Sequence, residues 1–253
     1  MTFGSLGFAA VTHRYDDLPT LGGIDFTLSA GEFVTVIGPS GCGKSTLFNL
    51  ATGLIRPTGG DVLLNGEPLA GINPYVAYMF QSAALLEWRN VLDNITVGRE
   101  LLGESRAVAR QDASRALNHF GLAEFARHMP WELSGGMKQR AALLRTYLTN
   151  RPLLLLDEPF GALDALTRLQ MQQFLLDTWQ EDRRTVLFVT HDVEEALLLG
   201  DRVIVLTHRP ARVLEEVAVP FQRPRSADAL VGTPEFTQMK RKLLQLLHSE
   251  LQV

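Results

Sequence analysis

Short apolar runs alternate along this chain with longer stretches in which apolar positions recur every three or four residues. Residues near 6 to 37 read as β structure and end on Phe33-Val34-Thr35-Val36-Ile37, a run that predicts a buried strand. After a glycine-rich segment, Leu47, Leu50, Ala51 and Leu54 fall at helical spacing, with Gly53 near the stop. A strand over 61–64 closes on Asn65-Gly66, a strong turn signal. From about 84 to 150 strand signals cease and Leu, Ala, Arg and Glu dominate, which predicts a helical subdomain inserted into an α/β core. Within it Met137, Ala141, Leu144 and Leu148 share one helical face. Strand character returns at 153–156, 185–190 and 202–206 with helical segments between, the alternation of a parallel sheet. Thr233 and Pro234 suit the start of a closing amphipathic helix that carries Phe236, Leu243 and Leu247.

Composition narrows the function classes. The 253 residues suffice for one large domain with its own core, and 46% apolar content is ordinary for a globular chain. A net charge of -4 argues against a nucleic-acid binder, and a single cysteine excludes an internal disulfide framework. No apolar run approaches the ~20 residues needed to cross a bilayer, and the first residues lack a signal-peptide pattern. The expectation is a soluble chain that relies on another protein for any membrane passage.

Candidate chemistry lies in three segments. Gly38-Pro39-Ser40-Gly41-Cys42-Gly43-Lys44-Ser45 fits the G-x-x-x-x-G-K-[ST] phosphate loop and is followed by Thr46, between a predicted strand and a predicted helix. Glycines let backbone N–H groups wrap anionic phosphates; Lys44 is expected to reach the β- and γ-phosphates and Ser45 to ligate Mg²⁺. Cys42 fills a variable loop position. Four leucines end on Asp157-Glu158-Pro159, at a strand end where α/β sheets expose their chemistry. The ordinary alternative there is an acidic helix cap. Ser134-Gly135-Gly136 offers a hydroxyl and open N–H groups at a helix start, an anion site by chemistry, although isolated glycine pairs are mostly turns.

The order of these segments, with Leu133-Ser134-Gly135-Gly136-Met137-Lys138-Gln139-Arg140 ahead of the acidic strand end, resembles the ATP-binding cassette (ABC) ATPases. The resemblance runs from about Phe3 to Pro220. It implies a P-loop core with a mainly parallel sheet, an N-terminal antiparallel β subdomain and an inserted helical subdomain. It divides the chain into an ATPase domain at 3–220 and a C-terminal extension at 221–253. By resemblance Asp157 and Gln81 hold Mg²⁺ with Ser45, Glu158 polarises the attacking water, and Gln81 senses both metal and water. His191 matches the switch histidine at the γ-phosphate, and Asp164 the loop that communicates between two sites. Ser134, Gly135 and Gly136 match the signature that contacts ATP held by an opposite subunit. Tyr15 matches the aromatic that stacks on adenine, although its pattern reads equally as a packed strand residue.

Pro159-Phe160-Gly161-Ala162-Leu163-Asp164 looks like bacterial importers. Ala84 to Val91, Asp93-Asn94-Ile95 and Thr207-His208-Arg209-Pro210 are similar to the nitrate, sulfonate and taurine importer group. The resemblance thus implies ATP and Mg²⁺ as cofactors and a second copy of the cassette as partner. It further implies transmembrane permease subunits and, indirectly, a periplasmic or lipid-anchored solute-binding protein, with no nucleic acid. The expected location is the cytoplasmic face of the inner membrane. The chain departs from the pattern at Met137, where many cassettes have glutamine, at Glu87, where the group commonly has proline, and over 144–148. A non-transport cassette ATPase and an ATP-sensing regulator are the rivals; the first usually carries paired cassettes or long coiled coils, and intact Glu158 and His191 disfavour the second.

Overall fold

The computed structural model describes residues 2–251, so positions 252 and 253 of the expected extension lie outside the described residues. Two long strands, β1 (Ser5–Tyr15) and β2 (Leu18–Ser29), open the chain, followed by β3 (Phe33–Ile37) and α1 (Lys44–Thr52). Then come β4 (Gly59–Leu64), β5 (Glu67–Pro68) and β6 (Val76–Met79). The stretch expected to be helical holds α2 (Val91–Leu101), α3 (Arg106–His119) and α4 (Gly135–Tyr147), with two short 3₁₀ turns. The remainder is β7 (Leu153–Asp157), α5 (Ala165–Asp182), β8 (Thr185–Val189), α6 (Val193–Leu199), β9 (Arg202–Leu206), β10 (Val213–Ala218), α7 (Ala227–Leu230) and α8 (Pro234–Leu251).

The strands form two sheets. An antiparallel sheet has the order β2-β1-β4-β5, and a six-stranded sheet has the order β10-β9-β3-β8-β7-β6. In the larger sheet β9, β3, β8, β7 and β6 run parallel, and only edge strand β10 is antiparallel. Strands β3, β7 and β8 are buried at every position, as expected where both faces of a parallel sheet are covered. The four leucines show how. Leu154 and Leu156 pack toward the helical subdomain, while Leu153 and Leu155 pack toward the antiparallel sheet and α1. Each fully buried leucine contributes about 1.5–3 kcal/mol, so this run anchors both cores.

Asn65 and Gly66 take φ of 54° and 84°, the paired left-handed conformation that a two-residue hairpin turn demands. Ala141 and Leu144 are buried as their helical spacing predicted, with Met137 and Leu148 packed at the edge of the same core. Leu54 differs from expectation. The left-handed Gly53 ends α1, and Leu54 lies beyond that cap at 57% exposure. Strand β10 and helix α7 were not anticipated; adjacent Glu215 and Glu216 break the apolar alternation that would have marked the strand.

Helix α8 begins where Thr233 Oγ1 accepts the Phe236 N–H at 3.3 Å. Its Phe236 and Leu243 are buried in a third core with Val193, Leu197 and Val203. Truncation of Leu243 to alanine is expected to cost about 2–4 kcal/mol by the cavity it leaves. Urea denaturation checks this, and a change below ~0.5 kcal/mol would show that α8 is not part of the folded core.

Candidate active site

The sheet order brings distant segments to one edge. Strand β8 lies between β3 and β7, so the turn after β8 emerges between the phosphate loop and the Asp157-Glu158 pair. Backbone bonds tie the three ends together: Glu158 N–H donates to Val189 O at 2.9 Å, and Thr190 N–H to Val36 O at 3.2 Å.

The phosphate loop needs its glycines. Gly41 and Gly43 take φ of 72° and 123°, and a Cβ on Gly43 would lie 2.8 Å from the Leu21 side chain. Lys44 is buried, and its Nζ donates to the carbonyls of Gly38 and Pro39 at 2.8 and 2.9 Å. Gly38 and Pro39 thus act through backbone oxygens and do not line the cleft. Cys42 turns into the core between the two sheets; burial raises its thiol pKa, and only its backbone is placed to serve the loop. Thr46 follows Ser45 in the first turn of α1 and lines the cleft.

Ser45 Oγ donates to Asp157 Oδ2 at 2.8 Å, joining the phosphate loop to the acidic strand end. Asp157 is 3% exposed, and burial pushes its carboxyl pKa above the usual range, opposed by the Ser45 bond and the Lys44 charge. A second bond to Asp157 comes from the Tyr78 hydroxyl. Burial and then the Asp157 charge hold that phenol protonated well above its ordinary range.

Glu158 adopts φ of +47°, left-handed for a residue with a Cβ, at a cost of about 1–2 kcal/mol. Its backbone is pinned: Glu158 O accepts from Gly161 N–H and, at 3.3 Å, from the buried amide of Gln139 on α4. Its carboxylate is gathered from two sides. Gln81 Nε2 donates to Glu158 Oε2 at 3.1 Å, and His191 Nδ1 stands 3.5 Å from the same oxygen.

A cleft of about 340 Å³ is lined by Tyr15, Ser40, Gly41, Gly43, Lys44, Ser45, Thr46, Gln81, Asp157 and Glu158, while His191 stands behind the Glu158 carboxylate and does not line it. Tyr15 sits at the rim, half exposed, its ring edge-on to His13 at 4.7 Å. Three further lining residues, Leu18, Thr20 and Arg209, were not read as site residues in the sequence. Arg209 follows β9, the neighbour of β3, and its Nε donates to Gly41 O.

The signature lies elsewhere. Ser134, Gly135 and Gly136 do not line this cleft; Ser134 caps α4 by accepting the Met137 N–H at 3.3 Å, and both Ser134 and Gly135 are exposed. Gly136 packs against the Ala162 carbonyl and Leu163, so the helix start adjoins the loop that leads to Asp164. Asp164 is exposed and caps α5, accepting the Thr167 N–H at 3.0 Å. That backbone bond lowers its carboxyl pKa.

The donor set suits a hard divalent cation held jointly with phosphate. No cluster of three or more His, Cys, Asp or Glu able to hold a metal occurs among the described residues. One hydroxyl and one carboxylate at hydrogen-bond distance, beside a phosphate cradle, is instead the arrangement that suits Mg²⁺ with substrate phosphates.

Fold and cleft together define a P-loop ATPase of the cassette type. The family model described as ABC transporter matches residues 21–161. The nitrate import ATP-binding protein NrtD of Synechococcus elongatus is 43% identical over 228 residues, covering 89% of this chain and 83% of that protein. The taurine import ATP-binding protein TauB of Chromobacterium violaceum is 43% identical over 230 residues, covering 89% and 88%. The dimeric structure of a post-hydrolysis state of the ATP-binding cassette MJ0796 bound to ADP and Pi superposes with a TM-score of 0.76. It shares 29% identity with this chain, covering 86% of this chain and all of that one. The chain belongs to the ABC transporter family.

The raised Asp157 pKa carries a pH signature. Its folded value exceeds that of the unfolded chain, so between the two the native state holds more protons and stability falls as pH rises. Without nucleotide or Mg²⁺, Asp157→Asn is therefore expected to be more stable than wild type at pH 7 in urea, the gain vanishing below the unfolded carboxylate range. A variant less stable than wild type at pH 7 would contradict this reading.

Proposed function

We propose that this chain is the ATP-hydrolysing subunit of a bacterial importer that energises uptake of a small solute through a separate transmembrane permease. The observation that carries the reading is the convergence on one cleft of the Ser45–Asp157 hydrogen bond and of a Glu158 carboxylate held by Gln81 and His191. Import of a nitrate-, sulfonate- or taurine-like solute is supported by relatives named for nitrate and taurine import.

Phosphoryl transfer asks mainly for positioning and charge stabilisation. Loop N–H groups and Lys44 hold the phosphates and Tyr15 faces the base; Ser45, Asp157 and Gln81 would hold Mg²⁺, which when bound would supply neutralisation of phosphate charge. Glu158 accepts a proton from the attacking water, and His191 and Gln81 fix its carboxylate for that task. Ser134, Gly135 and Gly136 of a second copy complete the site from the opposite side, with Asp164 communicating between the two. Dimeric cassette neighbours support this partner.

Passage of the solute falls to permease subunits at the inner membrane, a reading supported by relatives named as import ATP-binding proteins; no helix among the described residues is long and apolar enough to cross a membrane. Their docking surface lies over residues 81–98, where Trp88 is 75% exposed and the adjacent Glu87 is exposed as well. A periplasmic or lipid-anchored binding protein delivers the solute. The motor spans 3–220, with 221–253 as its extension.

Glu158→Gln is expected to keep ATP affinity in a direct titration while lowering steady-state phosphate release by roughly 10²-fold or more. Turnover near wild type would remove Glu158 from the chemistry.

A further inference from the structure

Beneath His191 lies a buried polar cluster that the mechanism above does not use. Glu195, on the seven-residue helix α6, is 6% exposed. Its Oε2 accepts from Thr190 Oγ1 at 2.6 Å and its Oε1 from Gln172 Nε2, on α5, at 3.1 Å. Thr190, 1% exposed, in turn accepts the Asp192 N–H at 3.0 Å on the same hydroxyl oxygen. The two bonds straddle His191 and fix the turn that presents it.

The other side of the cluster reaches the loop that carries Asp164. Arg168, one turn into α5, donates through Nη2 to Leu163 O at 3.2 Å. Its Nε stands 3.8 Å from Glu195 Oε1, and its Nη1 3.9 Å from Asp192 Oδ2. Arg168 Nε is buried and makes no hydrogen bond. The guanidinium thus holds one bond to the loop and stands just outside hydrogen-bond range of two carboxylates.

Stability alone does not call for this arrangement. A buried carboxylate costs several kcal/mol of desolvation, and an apolar side chain at this position would pack α6 against α5 more cheaply. We propose that Thr190, Glu195 and Arg168 are positioning residues that hold His191 in register with the Leu163-Asp164 loop. A shift of that loop on contact with a second copy is thereby transmitted to the histidine beside Glu158. The inference rests on the proposed role of His191 and deepens it.

The test uses the full chain and single-turnover ATP hydrolysis with enzyme in excess, which resolves residual rates. Thr190→Val keeps the volume and removes the hydroxyl; it is expected to slow hydrolysis about 10-fold while ATP affinity stays within about 2-fold. Thr190→Ser is expected to restore the rate, and Glu195→Gln, which keeps the shape but not the charge, to slow it similarly. In a His191→Ala background Thr190→Val is expected to add less than about 2-fold, because it acts through the histidine. If Thr190→Val instead multiplies the His191→Ala defect by its full single-variant factor, or hydrolyses at the wild-type rate, the positioning role is overturned. If His191→Ala itself hydrolyses at the wild-type rate, the proposed role of His191 falls, and this inference with it.

Discussion

A hydrogen bond of 2.8 Å between Ser45 and Asp157, residues 112 positions apart, is the contact on which the site depends. It exists because β3 and β7 run in the same direction with only β8 between them, so both chain ends leave the sheet on one edge. The leucines of β7, buried on both faces, fix Asp157 in depth, and burial makes its charge costly there. The proposed divalent cation and phosphates would answer that cost, so the cleft would be best satisfied when loaded. Function and the absence of a local stability optimum share one physical cause.

Glu158 extends the same logic one residue further. Its left-handed backbone turns the carboxylate out of the sheet, toward Gln81 and His191 rather than into the next core. The strain is held by the Glu158 N–H bond to Val189 O and by bonds to Glu158 O from Gly161 and Gln139. Gln139 belongs to the helix that opens with Ser134, so that helix start and the left-handed Glu158 turn are joined within one chain. The link is a hydrogen bond from the Gln139 side-chain amide to the Glu158 carbonyl.

Local patterns carried much of the architecture. The change from β-branched run to glycine loop to helical spacing marked the phosphate loop, and the leucine run marked β7, because each is written in consecutive residues. Gln81 and His191 were assigned by resemblance; their meeting on one Glu158 oxygen depends on strand order, which no local window contains. The same reason hid Tyr78 and Arg209. Tyr78 reaches Asp157 because β6 pairs with β7, and Arg209 reaches Gly41 because β9 lies beside β3. Leu54 misled because its spacing continued the helix past a glycine that ended it. The buried Glu195 gave no signal, as Val193-Glu194-Glu195-Ala196 reads as an ordinary acidic first turn.

The exposed signature gives the cleft its remaining meaning. One chain offers a phosphate cradle in its cleft and an exposed helix start at Ser134 and Gly135 outside it, and the two do not meet within it. Two copies placed head to tail would supply each cradle with its missing wall. Sedimentation of the Glu158→Gln protein with saturating Mg²⁺-ATP tests this most directly. A dimer should form with ATP and be lost on adding Ser134→Arg, with nucleotide affinity unchanged. A protein that stays monomeric under ATP saturation, or a dimer indifferent to Ser134→Arg, would contradict a nucleotide shared between two copies.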